Sequence, residues 1–335
     1  MISNRSQIVI PTGISEGALT GYIHTATFCT ENIDTYRHFY CDVMQMQMDA
    51  IPLMEEEKNK QRAFWNISGD IDYDVYHCYR ASVPSLIQLR ILHLKTSTPH
   101  IHNSYNSYEL GSFSLGFPTS DAKAMDKHIQ KCGIDAMAPM QLGDIENPDG
   151  TKRQYLETIY KGPDYLHCVG IERVNQKQLA PCDPNNGFGG PGYSAFVAKD
   201  SDAEVEFYTT VLGHKIIFDS VWEAADDGAL GVPNGTPFRF CGIYAVNSEQ
   251  NHMLFLEFKD GNMIDTGVQS CIPNQGLGMW TFQTSDIDEV IKRAKTNNIK
   301  VHSGIQEVSD YILGDGKACL LETPNGFYVE LFQKN

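Results

Sequence analysis

Two glutamates stand in apolar strands of the carboxy-terminal half, where a carboxylate could perform acid/base chemistry. In the segment FYVELFQ, Val329 and Leu331 flank Glu330, and Glu257 follows an alternating leucine pattern in HMLFLEFKD. Successive residues of a strand face opposite sides of a sheet, so outward packing of the apolar residues turns each carboxylate to the other face. Burial among aromatic residues raises the pKa of a carboxyl group toward neutrality, which suits a general acid or base.

The composition is that of a soluble globular protein and not of a disordered one. Apolar residues make up 41% and charged residues 20% of the chain, and the formal net charge is −16. No segment approaches the roughly 18 uninterrupted apolar residues of a membrane helix, and the amino terminus lacks the pattern of a signal peptide. The nine cysteines include no CxxC pair, which is typical of reduced thiols. These features predict a cytoplasmic protein, and the negative charge disfavours nucleic acid as a partner.

The chain repeats itself, and the repeat predicts its architecture. The stretch TATFCTENIDTYRHFYCDVMQMQM from Thr25 matches YSAFVAKDSDAEVEFYTTVLGHKI from Tyr193 without a gap. The stretch SLGFPTSDAKAMDKHIQKCGID from Ser114 likewise matches MWTFQTSDIDEVIKRAKTNNIK from Met279. Each stretch reads as a strand, an amphipathic helix and the turn into a second strand. We therefore predict an α+β chain of four βαβββ modules in tandem pairs, residues 1–186 and residues 187–335.

The helix-start segment DSDAEVEFYTTVLG and the closing strand TPNGFYVELF resemble the vicinal oxygen chelate superfamily, which includes glyoxalases, bleomycin resistance proteins and extradiol dioxygenases. The resemblance covers about residues 21–333 and implies that each pair of modules forms an open, barrel-like cup. In that superfamily, side chains from the first and last strands of the modules hold a metal inside the cup. Imidazole and carboxylate ligands suit Fe, Mn, Ni or Zn and leave positions open for two substrate oxygens.

The residues that stand at the implied ligand positions are unusual for a metal. In the carboxy-terminal pair the first-strand positions fall on Tyr193 and Met279, which are not ordinary ligands for these ions. The closing-strand positions keep Glu257 and Glu330, which we expect to face one cup. The equivalent residues of the amino-terminal pair are Thr25, Arg90 and Ser114, with a fourth among His167, Cys168 and Val169.

Four other histidines have structural interpretations. His24 lies one residue out of register on its strand, and such a slip places a side chain on the opposite face, so we expect it on the helix side or at the rim. His252 precedes Glu257 by an odd number of residues, so the two should face opposite sides unless a bulge intervenes. His100 and His102, in TPHIHNSYNSYE, are interpreted as part of a polar linker and not as a metal clip.

The leading hypothesis is an enzyme that converts a small oxo, phenolic or polycyclic molecule by lyase, isomerase or cyclase chemistry, without an essential metal. Glu330 would transfer the proton, Tyr193 would donate a hydrogen bond to an oxo group, and Glu257 would supply the second carboxylate. The predicted substrate contacts are Gln283, Thr281, Met279 and Tyr328.

Two alternatives stay open. The first is a divergent, metal-dependent extradiol dioxygenase or glyoxalase-like lyase, in which Glu330, Glu257 and an unassigned histidine hold Fe, Mn, Ni or Zn. The second is a binding protein whose acidic, aromatic cup holds a cationic ligand without converting it. In every case the expected partner is a small molecule, with neither nucleic acid nor a membrane, and a homodimer is compatible with all three.

Overall fold

The computed structural model describes residues 11–83, 86–146, 152–225 and 228–335, so the amino-terminal ten residues lie outside it. Module 1 consists of β1 (Thr20–Thr30), α1 (Ile33–Arg37) with a π-helical continuation (His38–Val43), β2 (Gln47–Ile51), α2 (Glu55–Phe64), β3 (Tyr73–Tyr79) and β4 (Gln88–Leu94). Module 2 consists of β5 (Gly111–Pro118), α3 (Ala122–Lys131), β6 (Gln141–Glu146), β7 (Lys152–Lys161), a short 3-10 turn (Pro163–Tyr165) and β8 (His167–Arg173).

The carboxy-terminal half repeats this plan. Module 3 consists of β9 (Tyr193–Val197), α4 (Ser201–Glu206) with a π-helical continuation (Phe207–Val211), β10 (Lys215–Glu223), β11 (Pro237–Tyr244) and β12 (His252–Phe258). Module 4 consists of β13 (Gly276–Thr284), α5 (Ile287–Thr296), β14 (Lys300–Asp310), β15 (Gly314–Glu322) and β16 (Tyr328–Lys334). The helix α2 is an addition that the sequence pattern did not predict.

The first helix of every module begins at an equivalent capping residue. The side chains of Asn32, Asp121, Asp200 and Asp286 each accept a hydrogen bond from the backbone N–H three residues later. Such a cap satisfies one of the N–H groups that a helix start leaves unpaired, and it typically contributes about 1 kcal/mol. The shared caps explain why the ungapped sequence matches located the helices correctly.

Sixteen strands of the described residues form two eight-stranded sheets, which confirms the predicted modules. The first sheet has the order β14-β15-β16-β13-β1-β4-β3-β2, and the second has the order β10-β11-β12-β9-β5-β8-β7-β6. Antiparallel pairing of β1 with β13 joins modules 1 and 4, and pairing of β5 with β9 joins modules 2 and 3. Each sheet therefore combines one module from each half, so the expectation that the two modules of one half share a cup is wrong, while the boundary between the halves near Gly187 stays a prediction.

Helices α1, α3, α4 and α5 contribute to a central apolar core together with the helix-facing residues of both sheets. The paired aromatic residues Phe39, Tyr40, Phe207 and Tyr208 are buried there, as the repeat predicted. The opposite face of the sheet of modules 1 and 4 holds a second apolar cluster, and we call this face cup A. The corresponding face of the sheet of modules 2 and 3 holds a third cluster, and we call it cup B.

The structure also bears on the predictions about the cysteines and about membrane-spanning helices. All nine cysteines are free thiols. Within the residues that the structure describes, no helix has the length and apolar character needed to cross a membrane.

Candidate functional site

Arg90 lies at the centre of cup A. It is on β4, its side chain is only 1% exposed, and its Nη1 donates to Glu330 Oε2 at 3.0 Å. Its Nη2 donates to Asp310 Oδ2 at 2.9 Å, and the guanidinium lies 5.1 Å from the ring centroid of Trp65. Burial opposes the charge of Arg90, but the two carboxylates outweigh burial and raise its pKa. The guanidinium is thus a fixed cation inside the cup.

Glu330 faces cup A, and both of its oxygens are engaged. Trp65 Nε1 donates to Oε1 at 2.9 Å, and Thr281 Oγ1 donates to Oε2 at 2.6 Å beside Arg90. Charge-assisted hydrogen bonds of this kind stabilise the ionised carboxylate. Three donors occupy most of the roughly four lone-pair sites of this carboxylate, and its residue is only 4% exposed, so little of it is accessible to a substrate. The geometry therefore favours a structural role for Glu330 over the predicted proton transfer.

Two histidines of module 1 belong to the same cup. A register shift in β1 between Ile23 and Thr25 places His24 on the cup side, where its Nδ1 lies 2.8 Å from Thr25 Oγ1. Burial lowers the pKa of His24 to about 3, against the opposing charge of Asp310. His77 contacts Gln88 Oε1 through Nε2 at 3.0 Å. The expected position of His24 on the helix side or rim is thus wrong, because a bulge lets two consecutive residues share one face.

The remaining volume of cup A is filled by the chain itself. Helix α2 and the residues after it bring Phe64, Trp65 and Ile67 into the apolar cluster. The predicted substrate contacts Met279 and Tyr328 are packed in that cluster and are nearly inaccessible. Gln283 is also buried, and its Oε1 has no hydrogen-bond partner among the described residues. Met279, Tyr328 and Thr281 therefore support the core of cup A in this structure.

Cup B contains a different polar group, which centres on His252. The imidazole of His252 stacks on Tyr244 with ring centroids 4.2 Å apart, and on Tyr193 at 5.2 Å. It is 3% exposed, and its Nδ1 has no hydrogen-bond partner in the described part of the chain. Burial lowers the pKa of His252 to about 3, with a further contribution from Arg173, so the ring is neutral at physiological pH. Burial raises the pKa of Tyr193, which therefore remains a hydroxyl group.

His167 occupies the other side of cup B, on β8. Its ring stacks on Phe113 with centroids 4.3 Å apart, and Nε2 lacks a partner among the described residues. Burial lowers its pKa to about 4. Ser114 is its neighbour in the parallel pairing of β5 with β8. Of the three residues between which the sequence could not choose, His167 is the polar one in cup B, since Cys168 packs in the central core.

Glu257 lies on the helix side of its sheet, not in a cup with Glu330. Its Oε2 accepts hydrogen bonds from the backbone N–H of Ser201, at 3.2 Å, and from the Ser201 hydroxyl at the start of α4. Burial opposes ionisation of Glu257, but hydrogen bonds from Lys259 and Ser201 outweigh it and lower the pKa. A carboxylate at this position stabilises the positive end of the helix.

The prediction that Glu257 and Glu330 face one cup is therefore wrong, and so is the grouping of Tyr193 with Glu330. Glu257 and Tyr193 belong to the sheet of modules 2 and 3, whereas Glu330 belongs to the other sheet. Both alternating sets on β12 are apolar, and the set of Met253 and Phe255 packs in the central core. Because Met253 and Phe255 face the core, Glu257 on the same side of β12 faces α4. His252 lies on the other side of the strand and therefore faces cup B without a bulge.

Comparisons with known proteins agree with this architecture. Residues 190–331 match the model of the Glyoxalase/Bleomycin resistance protein/Dioxygenase superfamily. The whole chain is similar in fold to glyoxalase I from Zea mays, with 12% identity over 93% of this chain and 92% of that chain and a TM-score of 0.58. A proposed dioxygenase from Bacillus subtilis shares 13% identity over 95% of this chain and 86% of that chain, with a TM-score of 0.55. No curated protein sequence matches the chain.

The carboxy-terminal residues 190–331 thus match the superfamily model, and the chain as a whole shares the fold of glyoxalase I. The resemblance drawn from the sequence is thereby confirmed. Because the identities to the solved structures are low, those structures show a shared fold and not a shared activity. Members of the superfamily commonly carry a divalent metal in the cup, so the side chains at the centre of each cup decide whether this chain fits one.

The side chains of cup A do not fit a divalent metal. Across the four central strands, Gln88, Thr25, Thr281 and Glu330 lie at one level of the sheet. Glu330 is the one carboxylate in that row, and Arg90 already neutralises it. A guanidinium at 3.0 Å would repel a second cation at the same oxygens. Within the described residues, no group of three or more His, Cys, Asp and Glu side chains could hold a metal ion.

Sequence reasoning missed several residues of both cups. Trp65 reaches the cluster of cup A from the end of α2, a helix that has no counterpart in the repeat, and Asp310 reaches it from the end of β14, beyond the matched stretch from Met279. No pattern in the sequence singled them out. Tyr244 is the last residue of β11 and faces cup B. The matched sequence stretches do not include this strand, so the repeat did not assign the residue. His24 was visible in the sequence, but its position depends on a bulge that the amino-acid pattern does not reveal.

Proposed function

We propose that this protein binds a small organic molecule of oxo, phenolic or polycyclic character in cup B, without a divalent metal. The observation that carries this proposal is the buried Nδ1 of His252, which lacks a hydrogen-bond partner among the described residues. Nearly all buried polar atoms in proteins have a partner, so an unpaired one inside a cup calls for a ligand or a water molecule. A neutral imidazole can donate or accept there, depending on its tautomer.

The aromatic surroundings favour a planar ligand. Half-buried rings of Phe218, Trp222 and Phe240 pack against the apolar cluster of cup B. Aromatic side chains bind planar molecules by offset stacking and by edge-to-face contacts. Together with the stacked rings of Tyr193 and Tyr244, they offer apolar area on the rim and hydrogen-bonding groups at the base.

Metal independence rests on cup A. The fixed guanidinium of Arg90 and the hydrogen bonds of Trp65 and Thr281 occupy most of the lone-pair sites of Glu330, and the guanidinium would repel a metal ion there. In our proposal Arg90 takes the place of the cation as a permanent charge of the fold. Cup A then stabilises the structure, while cup B receives the ligand.

Acid/base conversion of the ligand is the second candidate, and the carboxylate of Glu157 favours it. After burial, the charge of Glu157 is the largest contribution that raises the pKa of Tyr193, so the two groups are close in cup B. A carboxylate and a tyrosine hydroxyl at one substrate could move a proton and stabilise an enolate. Incubation with a bound compound and recovery of it unchanged would separate simple binding from conversion.

The test is a binding screen with monocyclic phenols, quinones and polycyclic ketones, in buffer that contains EDTA. We expect saturable binding that EDTA does not alter and that His252→Phe weakens by about tenfold, since the loss of one buried hydrogen bond costs about 1.4 kcal/mol. Tyr76→Phe, which alters a half-buried ring of module 1, is the matched control. Binding that needs Zn, Fe, Mn or Ni, or that ignores His252→Phe, would contradict the proposal.

A further inference from the structure

A cavity of about 320 Å³ lies outside both cups, between α1 and the connection from β7 to β8. Its walls include His38 and Phe39 from the π-helical continuation of α1, together with the segment 161–165. Neither cup shares these residues, and the function proposed above does not use them. The volume is that of a small organic ligand.

Two consecutive residues of the wall have strained backbone conformations. Asp164 has φ 49° and ψ 42°, and Tyr165 has φ 63°, although neither is a glycine. The left-handed region costs a non-glycine residue about 1–3 kcal/mol, and such residues cluster at functional sites. The Tyr36 hydroxyl holds Asp164 by a 2.8 Å hydrogen bond to Oδ2, and the Tyr105 hydroxyl holds Gly162 O. The fold thus maintains a conformation that directs Asp164 into the cavity.

Asp164 faces His100 across a gap that neither side chain closes. His100 Nδ1 lies 3.9 Å from Asp164 Oδ1, which is too long for a hydrogen bond. His100 Nδ1 is buried and has no hydrogen-bond partner in the described residues. Burial raises the pKa of Asp164. A hydroxyl group placed between the two side chains could donate to the carboxylate and pair with the imidazole.

The other walls add a positive charge and aromatic surface. Lys161 Nζ lies 5.9 Å from the ring centroid of Tyr105 and forms a long ion pair with the exposed Asp135 at 3.9 Å. The rings of Tyr105 and Tyr165 meet edge to face at 5.4 Å. Asp164 is the one acidic residue among the residues that line the cavity, whereas Lys161, His38 and His100 are basic.

We propose that this cavity binds a small aromatic hydroxy acid, whose hydroxyl group bridges His100 and Asp164 and whose carboxylate contacts Lys161. The ring of the ligand lies against Tyr105 and Tyr165. An ammonium and a carboxylate in a partly desolvated cavity attract each other more strongly than in water, and the aromatic edges contribute contact area.

The test uses 4-hydroxybenzoate, with 4-hydroxybenzyl alcohol as the neutral probe and tyramine as the cationic probe. Titration calorimetry of the full chain should give a Kd of about 1 mM or tighter for 4-hydroxybenzoate, and at least about tenfold weaker binding for the other two probes. Lys161→Met should abolish the preference for the acid, and His100→Phe should weaken binding about tenfold. Lys292→Met, an exposed lysine on α5, should change nothing.

Several results would overturn this inference. These are equal affinity for the three probes, tighter binding of tyramine, no saturable binding, or an unchanged acid preference in Lys161→Met. Thermal melting reports whether each variant folds, and His100→Gln replaces His100→Phe if the latter does not. The inference is independent of cup B, because His252→Phe should leave the binding of 4-hydroxybenzoate unchanged. If His252→Phe alone abolishes that binding, the ligand lies in cup B and this site is refuted.

Discussion

Cups A and B are built from equivalent strands, yet they differ in whether their central buried polar groups have hydrogen-bond partners within the chain. At the centre of cup A, Arg90, Glu330 and Asp310 pair with one another, and Trp65 closes the cluster from the added helix α2. At the centre of cup B, the imidazole of His252 is held by ring stacking while its Nδ1 lacks a partner among the described residues. A satisfied ionic cluster stabilises a fold, whereas an unsatisfied polar atom is available to a ligand.

Of the variants that test this difference between the cups, Arg90→Met should have the largest effect on the free energy of unfolding. The change leaves the buried Glu330 and the partly buried Asp310 without their cation, and breaking a buried ion pair by removing one partner costs about 3–5 kcal/mol. We expect the free energy of unfolding, measured by urea denaturation, to fall by that amount. The double variant Arg90→Met with Glu330→Gln should recover part of the loss, because the unpaired charge disappears. A loss below about 1 kcal/mol would mean that Arg90 is not a structural cation.

Trp65→Phe should have the next largest effect. The smaller ring removes the hydrogen bond to Glu330 and leaves a gap in the apolar cluster of cup A, so we expect a loss of about 2–3 kcal/mol in the free energy of unfolding. Trp222→Phe, in the half-buried rim of cup B, is the matched control and should cost about 1 kcal/mol or less. Similar losses for the two tryptophans would remove the distinction between a filled cup and an open one.

Acid should destabilise both cups through their buried histidines. The pKa values of His24 and His252 are lowered to about 3 in the fold. The unfolded chain therefore binds more protons below pH 6.5, and the stability that is fully present above pH 6.5 is lost as pH falls. Each histidine should cost about 2 kcal/mol between pH 7 and pH 5. His24→Gln and His252→Gln should each flatten the pH dependence of urea unfolding.

The smallest effect on stability should come from His252→Phe. Phenylalanine keeps the stacking on Tyr244 and removes a polar atom without a partner, so we expect a change within about 1 kcal/mol at pH 7. The same variant should weaken ligand binding in cup B. His252→Phe is thus expected to affect binding more than stability, whereas Arg90→Met is expected to lower stability. A large loss of stability would show that His252 is part of the core and not of a binding site.

The sequence predicted the modules well because caps and strand alternation are local features. Asp200 and Asp286 begin their helices where the ungapped matches placed them. The pairing of β1 with β13 was not predictable, since a repeat does not reveal which modules exchange partners. Glu257 was misplaced because β12 is apolar on both faces, so alternation alone could not choose the side.

The candidate site was less predictable than the fold for a related reason. The resemblance identified Glu330 and Arg90 as occupants of cup positions, but it placed them in different cups, and their ion pair appears only when modules 1 and 4 share a sheet. Trp65 belongs to an addition that the repeat does not contain. A residue outside the repeat has no equivalent in another module with which it can be aligned, so its contacts could be identified only from the folded structure.

The most direct test of the central claim is elemental analysis of the full chain, purified without a chelator and without a metal-binding tag. If Arg90 serves as the cation of cup A, the protein should contain well below one equivalent of Fe, Mn, Ni or Zn, and Glu330→Gln should not change that content. One tightly bound equivalent that disappears in Glu330→Gln would contradict the account, because it would place a metal where the structure has the guanidinium.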